Sequence, residues 1–229
     1  MVESRPIAVN SRAPRGRFVY VTGCDGTGKS TQARLLLSAL AARGRRAGHL
    51  WLRFPFLLSL PLLAYARWRG YSWQERHGDV SHGYWSFRRS RLLRALLPWT
   101  LLADAVIAAL HKIYIPLSLG RTIVCERFAL DMLVDLAVAC EDAGLHRRLP
   151  GRLYPRLLPR GTVVTVLDLD PETARERRPD LRTDRRLDAR MAMFRRLAAD
   201  LALPVFSSHM PVAELRRHIW DAIGEEDES

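Results

Sequence analysis

The stretch Gly23-Cys24-Asp25-Gly26-Thr27-Gly28-Lys29-Ser30 constrains this chain more than any other part of it. It fits G-x-x-x-x-G-K-[ST] at every fixed position. It lies between Phe18–Thr22, a short apolar and β-branched run, and Thr31–Ala42, where Leu35, Leu36, Ala39 and Leu40 recur at helical spacing up to Gly44. Strand, glycine loop, helix is the order in which such a loop cradles phosphate. Glycines let backbone N–H groups turn inward around the oxygens, and the first helical turn adds its unpaired N–H groups and the positive end of its dipole. The candidate nucleotide-binding residues are therefore Gly23, Asp25, Gly26, Thr27, Gly28, Lys29, Ser30 and Thr31, with Lys29 reaching the β/γ-phosphates and the Ser30 hydroxyl ligating Mg²⁺. Lysine occurs at Lys29 and Lys112 alone, arginine supplying the other 34 of 36 basic residues. A lysine kept inside the loop marks a site that needs a compact, mobile charge.

At 229 residues the chain suits one domain that buries its own core. Further strands are predicted at His49–Phe54, Thr122–Cys125, Val163–Asp168 and Pro204–Phe206, each followed by a helical segment. That alternation predicts an α/β fold of the P-loop NTPase kind: three layers, α/β/α, with a five-stranded parallel sheet and a helical lid. The kinase-sized domain would span 17–223, with a flexible arm at 1–16, an acidic tail at 224–229, a helical excursion at about 56–91 and the lid at about 175–190. Pro98, Asp104, His111, Lys112 and Pro116 divide the apolar stretch Leu92–Leu119, which predicts a buried helix at roughly Trp99–Ile113 and no transmembrane span.

The net charge of +12 points to acidic partners: phosphates, nucleic acid or an anionic surface. The arginine habit makes much of it uninformative. Aromatics beside arginines at Tyr65–Arg91 could stack on bases, but an excursion packed over the sheet would look similar, and nucleic acid is not favoured. Three cysteines without C-x-x-C spacing suit a reducing cytoplasm, and the first residues carry no apolar core of a secretory signal. His77 and His82 lack metal-ligand spacing. Cys24, near a helix start, sits where a thiol pKa falls.

Such a loop leaves the reaction open. The base-reading N/T-K-x-D of GTPases is absent, since Lys112 stands in His111-Lys112-Ile113-Tyr114, and no strand ends in the Asp-Glu pair of motors. Small-molecule kinases remain. Four anchors then resemble thymidylate kinases: Phe18–Gln32 containing the loop, Leu52-Arg53-Phe54-Pro55, Gly120-Arg121-Thr122-Ile123-Val124-Cys125-Glu126-Arg127-Phe128, and Leu167-Asp168-Leu169-Asp170-Pro171-Glu172. The resemblance implies that Arg53 and Arg127 bind the acceptor's phosphate and Phe54 its base. It also places Asp25 and Glu126 near Mg²⁺ and the acceptor, with catalytic arginines in the lid. The chain departs from that family at Glu126, where Asp is usual and deoxynucleoside kinases write Glu, at Ala105 in place of an acceptor-binding arginine, and in lacking E-P-G-G-T after the second strand.

Phosphoryl transfer asks for positioning and neutralised charge more than for covalent chemistry. Among the arginines between Arg175 and Arg190, we single out Arg178, Arg182 and Arg185 as catalytic and read Arg175, Arg177 and Arg190 as a solvated helix face. Lys29, Asp25 and Glu126 complete the catalytic set, and Asp131 and Asp135 read equally well as capping or solvated groups. The expected activity is transfer of the γ-phosphoryl of ATP, with Mg²⁺, to a nucleoside monophosphate such as thymidine monophosphate or a related small acceptor. A nucleoside or other hydroxyl-acceptor kinase is the first alternative, with Asp25 or Glu126 as base. A nucleic-acid or regulatory module whose acceptor site has decayed is the second. A homodimer is compatible with each.

Overall fold

Strand β1 (Phe18–Gly23) is buried at every residue, and its alternation sets the layout. Phe18 and Tyr20 join one apolar cluster, while Val19 and Val21 join the other. A strand apolar on both faces must sit in a sheet covered on both. The computed structural model, which describes residues 16–54 and 56–223, shows that sheet. The expected arm (apart from Gly16), Pro55 and the acidic tail lie outside the described residues.

After β1 follow α1 (Lys29–Ala42), β2 (Ala47–Trp51), α2 (Leu60–Trp68), β3 (Ser72–His77), β4 (Val80–Trp85), α3 (Arg91–Ala109) and α4 (Ile115–Ser118). The second half runs β5 (Thr122–Glu126), α5 (Ala129–Cys140), α6 (Leu149–Leu153), β6 (Val163–Asp168), α7 (Pro171–Arg177), α8 (Leu187–Asp200), β7 (Val205–Ser207) and α9 (Val212–Ile223). Five strands pair in parallel in the order β2-β5-β1-β6-β7. Helices α1 and α9 cover one face through Leu36, Leu40, Ile219 and Trp220. Helices α3, α5 and α8 cover the other through Leu97, Leu133, Met191 and Phe194. The expected α/β class and five-stranded parallel sheet are therefore present, with β2 and β7 displaced by a few residues from their predicted bounds. Chain order reverses at β1, with β2 and β5 to one side and β6 and β7 to the other. The carboxyl ends of β1, β5 and β6 consequently open a crevice where α/β sheets receive ligands.

Two expectations are corrected. Segment 56–91 is not wholly helical: after α2, strands β3 and β4 form an antiparallel hairpin in register His77↔Val80, closed by Gly78-Asp79 with Gly78 at φ 60°. A two-residue Gly-Asp loop between strands is a hairpin signal in its own right. Second, the apolar stretch is not divided by its prolines. Helix α3 starts at Arg91, runs through Pro98 and passes by a π turn at Leu110–Tyr114 into α4, just before the missing N–H of Pro116. The buried row Leu93, Leu97, Leu101, Ala105 holds α3 together across the hydrogen bond that Pro98 lacks. Arg91–Ser118 is long and apolar enough to cross a membrane by length and composition alone, but half of its most apolar stretch is buried in the fold. It is a core helix.

That helix also fixes the loop after β2. Asp104, 1% exposed, accepts from the backbone N–H of Leu57, Leu58 and Ser59 at 3.1, 2.6 and 3.0 Å and from Ser59 Oγ at 2.6 Å. Asp104→Ala would strand those donors, and a loss of roughly 2–4 kcal/mol in urea unfolding is expected, with Asp104→Asn intermediate.

Candidate functional site

The glycine loop is built by close approach. At Gly23 (φ 138°), a Cβ would lie 2.3 Å from the carbonyl oxygen of Leu167 on the neighbouring β6, so only glycine lets the chain leave β1 there. At Gly26 (φ 86°), a Cβ would sit 3.2 Å from Ala174 of α7 and from Leu181, so the arginine-rich segment lies directly on the loop. Lys29 opens α1, is buried, and donates from Nζ to the Cys24 carbonyl, which Thr27 Oγ1 also reaches at 2.8 Å. Burial, and then the nearby Arg127, push its pKa down to about 8.

The end of β5 brings the next groups. Glu126 is buried; its Oε2 accepts from Ser30 Oγ at 2.5 Å and its Oε1 lies 2.7 Å from Nε2 of His49 on β2. Arg127 follows in a left-handed conformation, φ 61°, which is uncommon for a residue with a side chain and marks a position held by its surroundings. Asp25 and Asp131 flank its guanidinium: Asp25 hydrogen-bonds it, and Asp131 Oδ1 stands 3.6 Å away. Burial alone would raise the Asp25 pKa, but Arg127, Lys29, Arg190 and Arg53 together hold it at about 2. Asp131 is enclosed, and burial raises its pKa against the pull of Arg127 and Lys29.

Asp25, Lys29, Ser30, Glu126 and Arg127 line a cleft of about 900 Å³ at the crevice, together with Arg53, Arg178 and Arg190. Ser208, Met210 and Val212 also line it, with Ser208 Oγ bonded to the Thr27 carbonyl at 2.9 Å. A second, smaller cavity of about 330 Å³ adjoins it, and Arg53, Gly83 and Arg190 line both. The small cavity is walled by Phe54, Phe56, Tyr84, Phe87, Leu101 and Leu136.

Of the residues singled out from sequence, Asp25, Gly26, Thr27, Gly28, Lys29, Ser30, Thr31, Arg53, Glu126, Arg127 and Arg178 meet in the large cleft, and Phe54 in the small one. Gly23 shapes the loop behind it. Arg182 and Arg185 do not line either cavity: Arg182 is exposed, and Arg185 pairs outward with Glu75 of the hairpin at 3.1 Å. Arg190 lines both cavities instead. Read from sequence as solvated, it is largely buried against Asp184, and Asp184 and other acids raise its pKa against the lowering by burial. Arg177 also lines the large cleft, held to the Ser208 carbonyl at 2.9 Å. Cys24 is buried, and burial raises its thiol pKa, the reverse of the fall expected at a helix start. His49 carried no sequence signal, being one half-exposed histidine on a strand. Ser30 and Glu126 form the oxygen pair suited to a hard cation that takes only one or two protein ligands, whereas Asp25 is committed to Arg127. Compared with known families, the chain matches no family model, and no curated protein matches it either.

Proposed function

We propose that this chain is a P-loop phosphotransferase that moves the γ-phosphoryl of ATP to a small acceptor carrying its own phosphate. One observation carries the reading: Lys29 and the glycine loop line the same cleft as Arg53, Arg127 and Arg190, so a single cavity gathers enough positive charge to hold two anions. The resemblance to thymidylate kinases supports it. Mg²⁺ would supply charge neutralisation on the transferring group, held by Ser30 and Glu126, with His49 fixing the orientation of Glu126. Lys29 leaves its Cys24 contact to follow the β/γ-phosphates. Asp25, ionised at neutral pH, keeps the Arg127 fork turned toward the acceptor. An acceptor phosphate presents an anionic oxygen, so no general base is required.

The test is ATP binding followed by ADP release on adding monophosphates, with thymidine monophosphate and free nucleosides as separate arms. Binding without release in every monophosphate arm rejects the reading. Within it, Arg190→Ala should lower kcat by about 10²–10³-fold with little change in ATP affinity, while Arg182→Ala stays within about twofold. Equal effects of the two would show that burial in the cleft does not select the working arginine.

A further inference from the structure

The small cavity identifies the acceptor's chemistry more closely. Most of its walls are hydrocarbon and aromatic rings, and among the described residues lining it there is no Asn, Gln, Ser or Thr to read the edge of a base. The positively charged groups that also line it are arginines paired with the protein on one side, Arg53 with Asp135 at 2.9 Å, Arg190 with Asp184 and Arg186 with the Trp85 carbonyl, and Arg190 Nε is left without a partner, which suits an anionic head. A nucleobase lodged among these walls would find no amide or small hydroxyl for its polar edge, which is the costly case, whereas a hydrocarbon loses nothing.

One wall of the cavity is also exposed to solvent and apolar. Phe54 and Phe56 stack with ring centres 5.3 Å apart and planes 8° from parallel, and Phe56, which lines the cavity, is itself 44% exposed. After it in the chain Leu57, Leu58 and Leu60 are each at least half exposed, with the Leu57 and Leu58 backbone held by Asp104. On α3, which supplies Leu101 to the cavity and Asp104 to this loop, Leu92, Leu96, Trp99 and Val106 are exposed as well.

Resting on the phosphotransferase reading above, we propose that the acceptor is an amphiphilic monophosphate: a phosphate head between Arg53, Arg127 and Arg190, and a hydrocarbon chain that fills the small cavity and leaves over Phe56. The transfer forms a bond from an acceptor phosphate oxygen to the γ-phosphorus of ATP and breaks the bond from that phosphorus to the β–γ bridging oxygen. The products are ADP and the hydrocarbon diphosphate. With the acceptor as a dianion, charge balances with no proton released and no oxidant or reductant needed.

The experiment compares geranyl phosphate, farnesyl phosphate, farnesol and thymidine monophosphate with the full chain and ATP, below micelle-forming concentrations, following ADP and resolving products by chromatography. ATP binding is measured separately by calorimetry. The expected result is a farnesyl phosphate kcat/KM at least tenfold above that for thymidine monophosphate, with farnesyl diphosphate as product. Phe56→Asp, at an exposed position, should lower the farnesyl phosphate value at least fivefold and the geranyl phosphate value less. Equal or better turnover of thymidine monophosphate, turnover of farnesol in place of its phosphate, or no turnover of either prenyl phosphate by a protein that binds ATP overturns the proposal. Failure to bind ATP overturns the phosphotransferase reading instead.

Discussion

Lys29→Ala is expected to cut phosphoryl transfer by about 10³-fold, on the order of 4 kcal/mol of transition-state stabilisation, while the protein stays folded. Nothing else in the loop can supply that charge. Arginine is no substitute, because a planar fork does not fit a buried place where the ammonium already touches the Cys24 carbonyl. Stability should move the other way. The Lys29 pKa, pushed from its usual 10.5 to about 8, means that the folded state holds this proton less tightly than the unfolded state does. Its contribution to stability therefore rises as pH climbs through the window from about 8 to 10.5. Lys29→Met should remove that rise and leave the ligand-free protein as stable as wild type or more so at pH 7. Paired kcat measurements and urea titrations at pH 7 and pH 10 check both halves. Retained activity would sink the assignment of the loop.

Asp131→Ala should be the most destabilising single change in the site, by about 3–5 kcal/mol. Its carboxylate takes Tyr20 Oη at 2.5 Å, Thr22 Oγ1 at 2.8 Å and the Phe128 N–H at 3.1 Å, and faces Arg127. Truncation leaves two hydroxyls without an acceptor in a place that water does not reach, and leaves the Phe128 N–H with Tyr20 Oη alone. It also removes one of the two acids that turn Arg127, so activity should fall along with stability. Asp131→Asn keeps the volume and some of the hydrogen bonds, and should recover part of the stability but less of the activity. A midpoint shift in urea close to zero for Asp131→Ala would refute the account of Arg127 as a residue held in its left-handed conformation by this network.

The sheet and the glycine loop were legible because each rests on a local signal: β-branched runs flanked by helical periodicity, and glycines at fixed offsets from one lysine. Arg53, Glu126 and Arg127 were legible only through the resemblance of their segments to thymidylate kinases, and the structure brings them to the carboxyl end of the sheet, where an open sheet places its ligands. The arginine choice was not. With 34 arginines in the chain, helical spacing cannot distinguish Arg190 from Arg182 or Arg185; tertiary packing against Asp184 does. Asp104 was equally hidden, since its partners are backbone amides nearly fifty residues away. The hairpin was readable from Gly78-Asp79, but the arginines and aromatics around it masked the period-two alternation. Pro98 misled because propensity measures an isolated helix, and α3 is held by what packs on it.

The hairpin and the arginine-rich segment are joined at several points. His82 Nε2 lies 2.9 Å from the Asp180 carbonyl and 3.0 Å from Thr183 Oγ1, Tyr84 Oη accepts from the Arg185 N–H at 3.2 Å, Glu75 pairs with Arg185, and Arg186 reaches the Trp85 carbonyl. One of these pieces covers the glycine loop at Gly26, and the other walls the small cavity. Tied in this way, they cannot be ordered separately. The ligand that arrives first meets the entropic cost of fixing both walls, and the second finds its wall already set. The two ligands should therefore bind with positive synergy, each tightening the other by the same factor.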